Sequence, residues 1–172
     1  MALKDQFTPD EWQTLGQSPY AAMVAIMAAS PSGPMGLVQE TLPLARSLSD
    51  IKANGSPSEL IRTLVGDLTA EGATKPPAFG KAPEQAQQNA MQTLGLVGEL
   101  FTRKTSDGSL SATEADQFRT WLVGVADGTA HAYQEGGFLG IGKTAVSSQE
   151  REAVDNIRKL LGVARQAARA QD

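Results

Sequence analysis

The sequence predicts an all-α fold, a multi-helix bundle of two packed helical halves. Three observations carry this: helix-start signals recur along the chain, the apolar residues behind them repeat near every 3.6 positions, and no stretch alternates β-branched residues as a strand would. The 172 residues are 41% hydrophobic and 20% charged, an ordinary globular balance in a chain long enough to bury a core without metals or disulfides.

The helix starts come first. Thr8-Pro9-Asp10-Glu11 places a side-chain acceptor at N-cap, proline at the first helical position and glutamate at the third, with Phe7 and Trp12 set to close a hydrophobic staple across it. Ser18-Pro19 offers a simpler start. Ser56-Pro57-Ser58-Glu59, Ser111-Ala112-Thr113-Glu114 and Ser147-Ser148-Gln149-Glu150 repeat the serine-to-glutamate capping box.

Behind the caps lie apolar stripes, one to each helix. Leu60, Ile61, Leu64, Val65 and Leu68 form the first; Met91, Leu94, Val97 and Phe101 the second; Phe118, Trp121, Leu122 and Val125 the third; Val154, Ile157 and Leu161 the fourth. The run Tyr20 to Ala29 is apolar all round, which predicts a central helix. Between Pro34 and Asn54 a further helical stretch is interrupted at Pro43, which either kinks the helix or restarts it. Residues 71–82, with Gly72, Pro76, Pro77 and Gly80, are expected to cross the surface between an N-terminal half at 1–70 and a C-terminal half at 83–172 of one helical domain, 1–172. A weak echo between Ala28, Gly33, Met35, Gly36 and Ala132, Gly137, Leu139, Gly140 fits two related halves.

Composition also excludes function classes. Without cysteine there is no disulfide framework, thiolate zinc site or cysteine nucleophile. A net charge of -4 opposes binding to a phosphate backbone, so nucleic acid is not expected as a partner. The N-terminus shows no apolar leader core and the longest apolar run falls short of the ~20 residues that span a bilayer, so a cytoplasmic protein is expected.

Four constellations are candidates for function. Thr105 to Glu114 matches the second half of an EF-hand loop, with Asp107 at position 5, Gly108 at the turn and Glu114 at position 12. Arg103 and Thr105, however, stand where the first carboxylates belong, and an Asp-Gly turn followed by a capping box accounts for the same residues. Phe138, Leu139 and Ile141, on the glycine-rich stretch 136–142, either form an apolar tip that docks on a protein partner or a membrane surface or fold back to plug the bundle. That stretch follows no strand and lacks a P-loop's closing lysine-serine or lysine-threonine pair at the required place. His131 shares a helical face with Asp127 and Glu135, which suits a general acid-base pair, part of a metal site or a solvated ionic face. Arg158, Arg165 and Arg169 fall near one stripe of the last helix, diluted by Glu152 and Asp155.

The run Asp107-Gly108-Ser109-Leu110-Ser111-Ala112-Thr113-Glu114, followed by Phe118-Arg119-Thr120-Trp121-Leu122, resembles the TerB-like (tellurite-resistance) helical family. Glu135-Gly136-Gly137 and the stretch from Val146 to Val163 look like a second unit with a longer glycine loop, so the resemblance covers about half of the chain. It implies an all-helical fold, a stress-response role, and calcium or another divalent cation held at Asp107, Glu114, Glu135 and Glu150. Ser106, Gly136, Gly137, Ser147, Ser148 and Gln149 depart from the acidic residues expected in such loops. The reading that follows is a non-enzymatic interaction protein without a cofactor of its own, acting through Phe138, Leu139 and Ile141, with a divalent-cation binder as the alternative.

Overall fold

A computed structural model describes residues 2–30, 42–71, 73, 76–135 and 146–164, with the side chains of 42, 43 and 133–135 excepted. Among the described residues a 3-10 turn over Leu3–Gln6 leads into six helices: α1 (Pro9–Ala29), α2 (Leu42–Asn54), α3 (Glu59–Leu68), α4 (Pro83–Ser106), α5 (Ala112–Glu135) and α6 (Ser148–Leu161). No strand occurs among them, and the fold is an all-α bundle. No described helix is long and apolar enough to cross a membrane.

Helix α1 is the axis of the bundle. It packs most extensively on α4, then on α5 and α6, and it also touches α2 and α3. Its alanines explain the close packing: Ala21, Ala22 and Ala25 are fully buried beside Leu15 and Ile26. Because α1 meets α4 and α5 more than its sequence neighbours, both halves of the chain share one hydrophobic cluster running from Phe7 to Leu161. The predicted stripes supply it. Every residue of the α6 stripe is buried; Phe101 of α4 meets Phe118 of α5 edge to face at 5.2 Å, and Phe118 meets Trp121 on the same helix at 5.3 Å.

Three expectations about boundaries are corrected. Ser18-Pro19 does not start a helix, since both residues lie buried inside α1. Proline cannot donate to the Leu15 carbonyl four residues back, and the Ser18 hydroxyl donates to that oxygen instead, at 2.7 Å, so the helix runs on. In the Ser56–Glu59 box, the N-cap is Ser58, whose hydroxyl accepts from the Ile61 amide at 3.1 Å; Ser56 supports it by accepting from the Ser58 amide at 3.2 Å. The crossing segment is not confined to the surface, because Phe79 is buried and its carbonyl accepts from Asn89 on α4 at 2.6 Å. Pro43 falls at the second residue of α2, where a missing amide donor costs little.

The ends of α4 and α6 set the geometry of the second half. Gly162 adopts a left-handed conformation (φ 70°), and the amides of Val163 and Gly162 return to the carbonyls of Arg158 and Lys159, a Schellman cap. The carbonyl of Leu160, left outside that cap, is directed at Gly98 on α4. A Cβ at residue 98 would fall 2.2 Å from this oxygen, so the two helices approach at a distance only glycine permits.

Candidate functional site

A groove of about 620 Å³ lies between α1 and α3, within the size range of small-molecule and side-chain pockets. One stripe of α1 forms its first wall: Pro9, Trp12, Gln13, Gly16, Gln17 and Tyr20. The spacing explains the notch, because Gly16 lies one turn after Trp12 and one turn before Tyr20, so two aromatic side chains flank a position with none. The opposite wall is Leu64, Asp67 and Leu68 of α3, closed at one side by Pro77 of the crossing segment. Leu68 is the member of the α3 stripe that stays partly exposed, and the groove is the reason.

Asp67 is the one formally charged residue among the described residues that line this groove. Its Oδ2 accepts from the Trp12 indole N–H at 3.0 Å and from Lys4 Nζ at 2.6 Å, while the Lys4 ammonium lies 5.2 Å from the centre of the Trp12 ring. The Lys4 hydrogen bond, chiefly, holds the Asp67 carboxyl below its ordinary value; burial opposes this and the Trp12 N–H adds to it. Burial pushes the Tyr20 phenol up. The Phe7–Trp12 staple forms with ring centres 5.7 Å apart and fixes the entry to α1.

Beside it, the Thr8–Glu11 box closes as predicted, and Glu11 serves a second purpose. Its carboxylate also takes Arg103 Nη2 at 2.6 Å and Lys104 Nζ at 3.2 Å, tying the start of α1 to the end of α4. Burial raises the Glu11 pKa, but the Thr8 amide and the two cations outweigh it and leave it lowered.

Of the carboxylates singled out for metal binding, Asp107 and Glu150 are engaged locally and Glu114 is engaged across helices. Arg103 and Thr105, at the first and third positions of the supposed EF-hand loop, are helical residues of α4, so the EF-hand geometry does not form. Asp107 accepts from the amide and hydroxyl of Ser109 at 2.8 and 2.5 Å, and these two bonds lower its pKa. Glu150 is buried and closes its own box by accepting from the Ser147 amide at 2.9 Å. Glu114 behaves differently: Ser111 caps its amide, but its carboxylate reaches across to α3, taking the Ser58 hydroxyl at 2.7 Å and the amides of Leu60 and Glu59 at 3.0 and 3.1 Å. Burial pushes the Glu114 pKa up, yet these three donors prevail and hold it low. Among the described residues no three His, Asp or Glu side chains gather as a metal site would require. The side chain of Glu135 and the whole of Phe138, Leu139 and Ile141 lie outside the described residues, as do Arg165, Arg169 and most members of the internal echo.

His131 lines a smaller cleft of about 400 Å³ between α5 and α6, with Asp127, Arg151, Asp155 and Arg158. Its Nδ1 is 2.8 Å from the backbone carbonyl of Asp127 and 3.9 Å from that residue's carboxylate, so the Nδ1 proton goes to the carbonyl. That geometry orients the ring on an exposed face, and no nucleophilic hydroxyl side chain lines the cleft among the described residues.

No family model, curated protein or solved structure matches this chain. The groove is therefore read from its own residues. Sequence reasoning used Trp12 only as a staple, Tyr20 only as part of an apolar run and Pro77 only as a mark of the crossing segment, and it passed over Lys4, Gln13, Gly16, Gln17 and Asp67. The available signal was the Trp12-Gly16-Tyr20 spacing, an aromatic-glycine-aromatic stripe on one helix face.

Proposed function

We propose that this protein is a non-enzymatic interaction protein whose α1–α3 groove takes an apolar segment of a protein partner. One observation carries the reading: Gly16 opens a notch between Trp12 and Tyr20, opposite Leu64 and Leu68, so apolar and aromatic surface lines a concavity instead of closing on itself. Among the described residues no nucleophile paired with a base lines this groove, which favours binding over catalysis. Membership of the TerB-like family and a stress-response role belong to the same proposal and rest on the residues that carry the resemblance.

The test uses the neutral dye N-phenyl-1-naphthylamine, excited by energy transfer from Trp12 in a Trp121→Phe background, which leaves a single tryptophan. Transfer is expected to saturate at one site and to disappear in Gly16→Leu, whose side chain fills the notch. Equal transfer in both proteins, with both folded by circular dichroism, would refute the groove as the binding surface.

A further inference from the structure

Resting on that reading, we infer that the partner segment brings a lysine or arginine side chain to the Asp67–Trp12 corner of the groove, where it takes the place that Lys4 holds in the unbound protein. Three features of this corner favour a cation. The carboxylate of Asp67 is the only formal charge among the described residues of the lining, and both of its donors reach Oδ2, leaving Oδ1 without a donor among the described residues. Asp67 and Leu68 are the last two residues of α3, where the helix dipole places partial negative charge, and the last turn of α3 has no basic residue of its own to offset it. The Trp12 ring already takes a cation over its face, Tyr20 brings a second aromatic ring to the lining, and Gln13 and Gln17 bring amide groups with acceptor oxygens.

The protein already shows that a cation fits. Lys4 comes from the short 3-10 turn before α1, bonds to Asp67 and covers the Trp12 ring, yet half of its side chain remains exposed. Exposed ion pairs of this kind hold weakly, because water screens them and ordering a long side chain opposes them. A lysine or arginine whose apolar neighbours are buried between Trp12, Tyr20 and Leu68 makes the same two contacts with less water around them, so the partner's cation displaces Lys4. The net charge of -4 on the whole chain draws a basic segment in the same direction.

The experiment is selection of displayed random peptides on the full-length protein, counter-selected on Gly16→Leu. Peptides dependent on the groove are expected to carry a lysine or arginine next to apolar residues, and to be lost on Asp67→Asn and on Gln13→Arg, which sets a like charge on an exposed position of the wall. Lys4→Met, which removes the internal competitor, is expected to tighten those same peptides about three- to tenfold. Groove-dependent peptides that lack a basic residue would overturn the inference while the groove reading stands; so would unchanged or weaker binding to Lys4→Met. Recovery of no peptide that Gly16→Leu loses would bring down both.

Discussion

The α4–α6 seam and the α1–α3 groove are both helix pairs with a glycine on the facing surface, and they come out opposite. At the seam, Gly98 is filled from across by the Leu160 carbonyl, and the helices close backbone to backbone. At the groove, the neighbour that a Cβ at Gly16 would meet is Leu68 Cδ2, at an ordinary 3.8 Å, and the space beside it stays open. The difference lies in how each partner helix is held. Helix α6 lies against α1, α4 and α5 along its buried stripe. Helix α3 also buries a stripe, Leu60, Ile61, Leu64 and Val65, but it packs on α2, α5 and the 3-10 turn more than on α1, and it is tied at its ends by Glu114 at the first turn and by Lys4 and Trp12 at Asp67 in the last. Glycine permits close approach, and the surrounding contacts decide whether the approach is used.

The contrast can be broken most directly at the seam. Gly98→Ala sets a methyl against a backbone oxygen that has no rotamer to escape into, and a loss of about 3 kcal/mol in urea unfolding is expected; an unchanged midpoint would mean the helices do not meet there. Loosening α3 comes next. Glu114→Gln keeps the shape but removes the charge from three hydrogen bonds, with an expected cost of about 1–2 kcal/mol. Because the folded pKa of Glu114 lies below its ordinary 4.5, the stabilisation is fully present above that value and is lost as pH falls through the folded one. The wild type should therefore lose more stability between neutral pH and acid than Glu114→Gln, and parallel pH curves for the two would exclude the cross-helix cap.

Gly16→Ala sharpens the comparison from the other side. Its Cβ meets only van der Waals contact, so the mid-helix alanine should stabilise the protein by about 0.5–1 kcal/mol, read as a raised melting temperature, in contrast to the same change at Gly98. The smallest effect belongs to Lys4→Met, whose exposed pair with Asp67 should contribute about 0.5 kcal/mol or less and diminish in high salt.

Local rules made most of the scaffold legible. Boxes at Thr8–Glu11 and Ser147–Glu150 close as written because every participant lies within one turn. Ser111–Glu114 has the same pattern but only half forms, since the α3 amides offer Glu114 three donors, and nothing within its own helix predicts their position. The groove was legible only as the Trp12-Gly16-Tyr20 spacing on one helix face; that the spacing opens a concavity and not a core contact is decided only when α3 is placed beside α1.

The amino-acid sequence by itself determined where helices begin and which face of each turns inward, because capping and 3.6-residue periodicity act between residues close along the chain. Only the tertiary structure decided that Glu114 caps a different helix, that Gly98 receives a carbonyl, and that Asp67, Lys4 and Trp12 meet at one corner. Those outcomes depend on distances between residues 54 to 63 positions apart, as in Leu60–Glu114 and Lys4–Asp67, which no local spacing encodes.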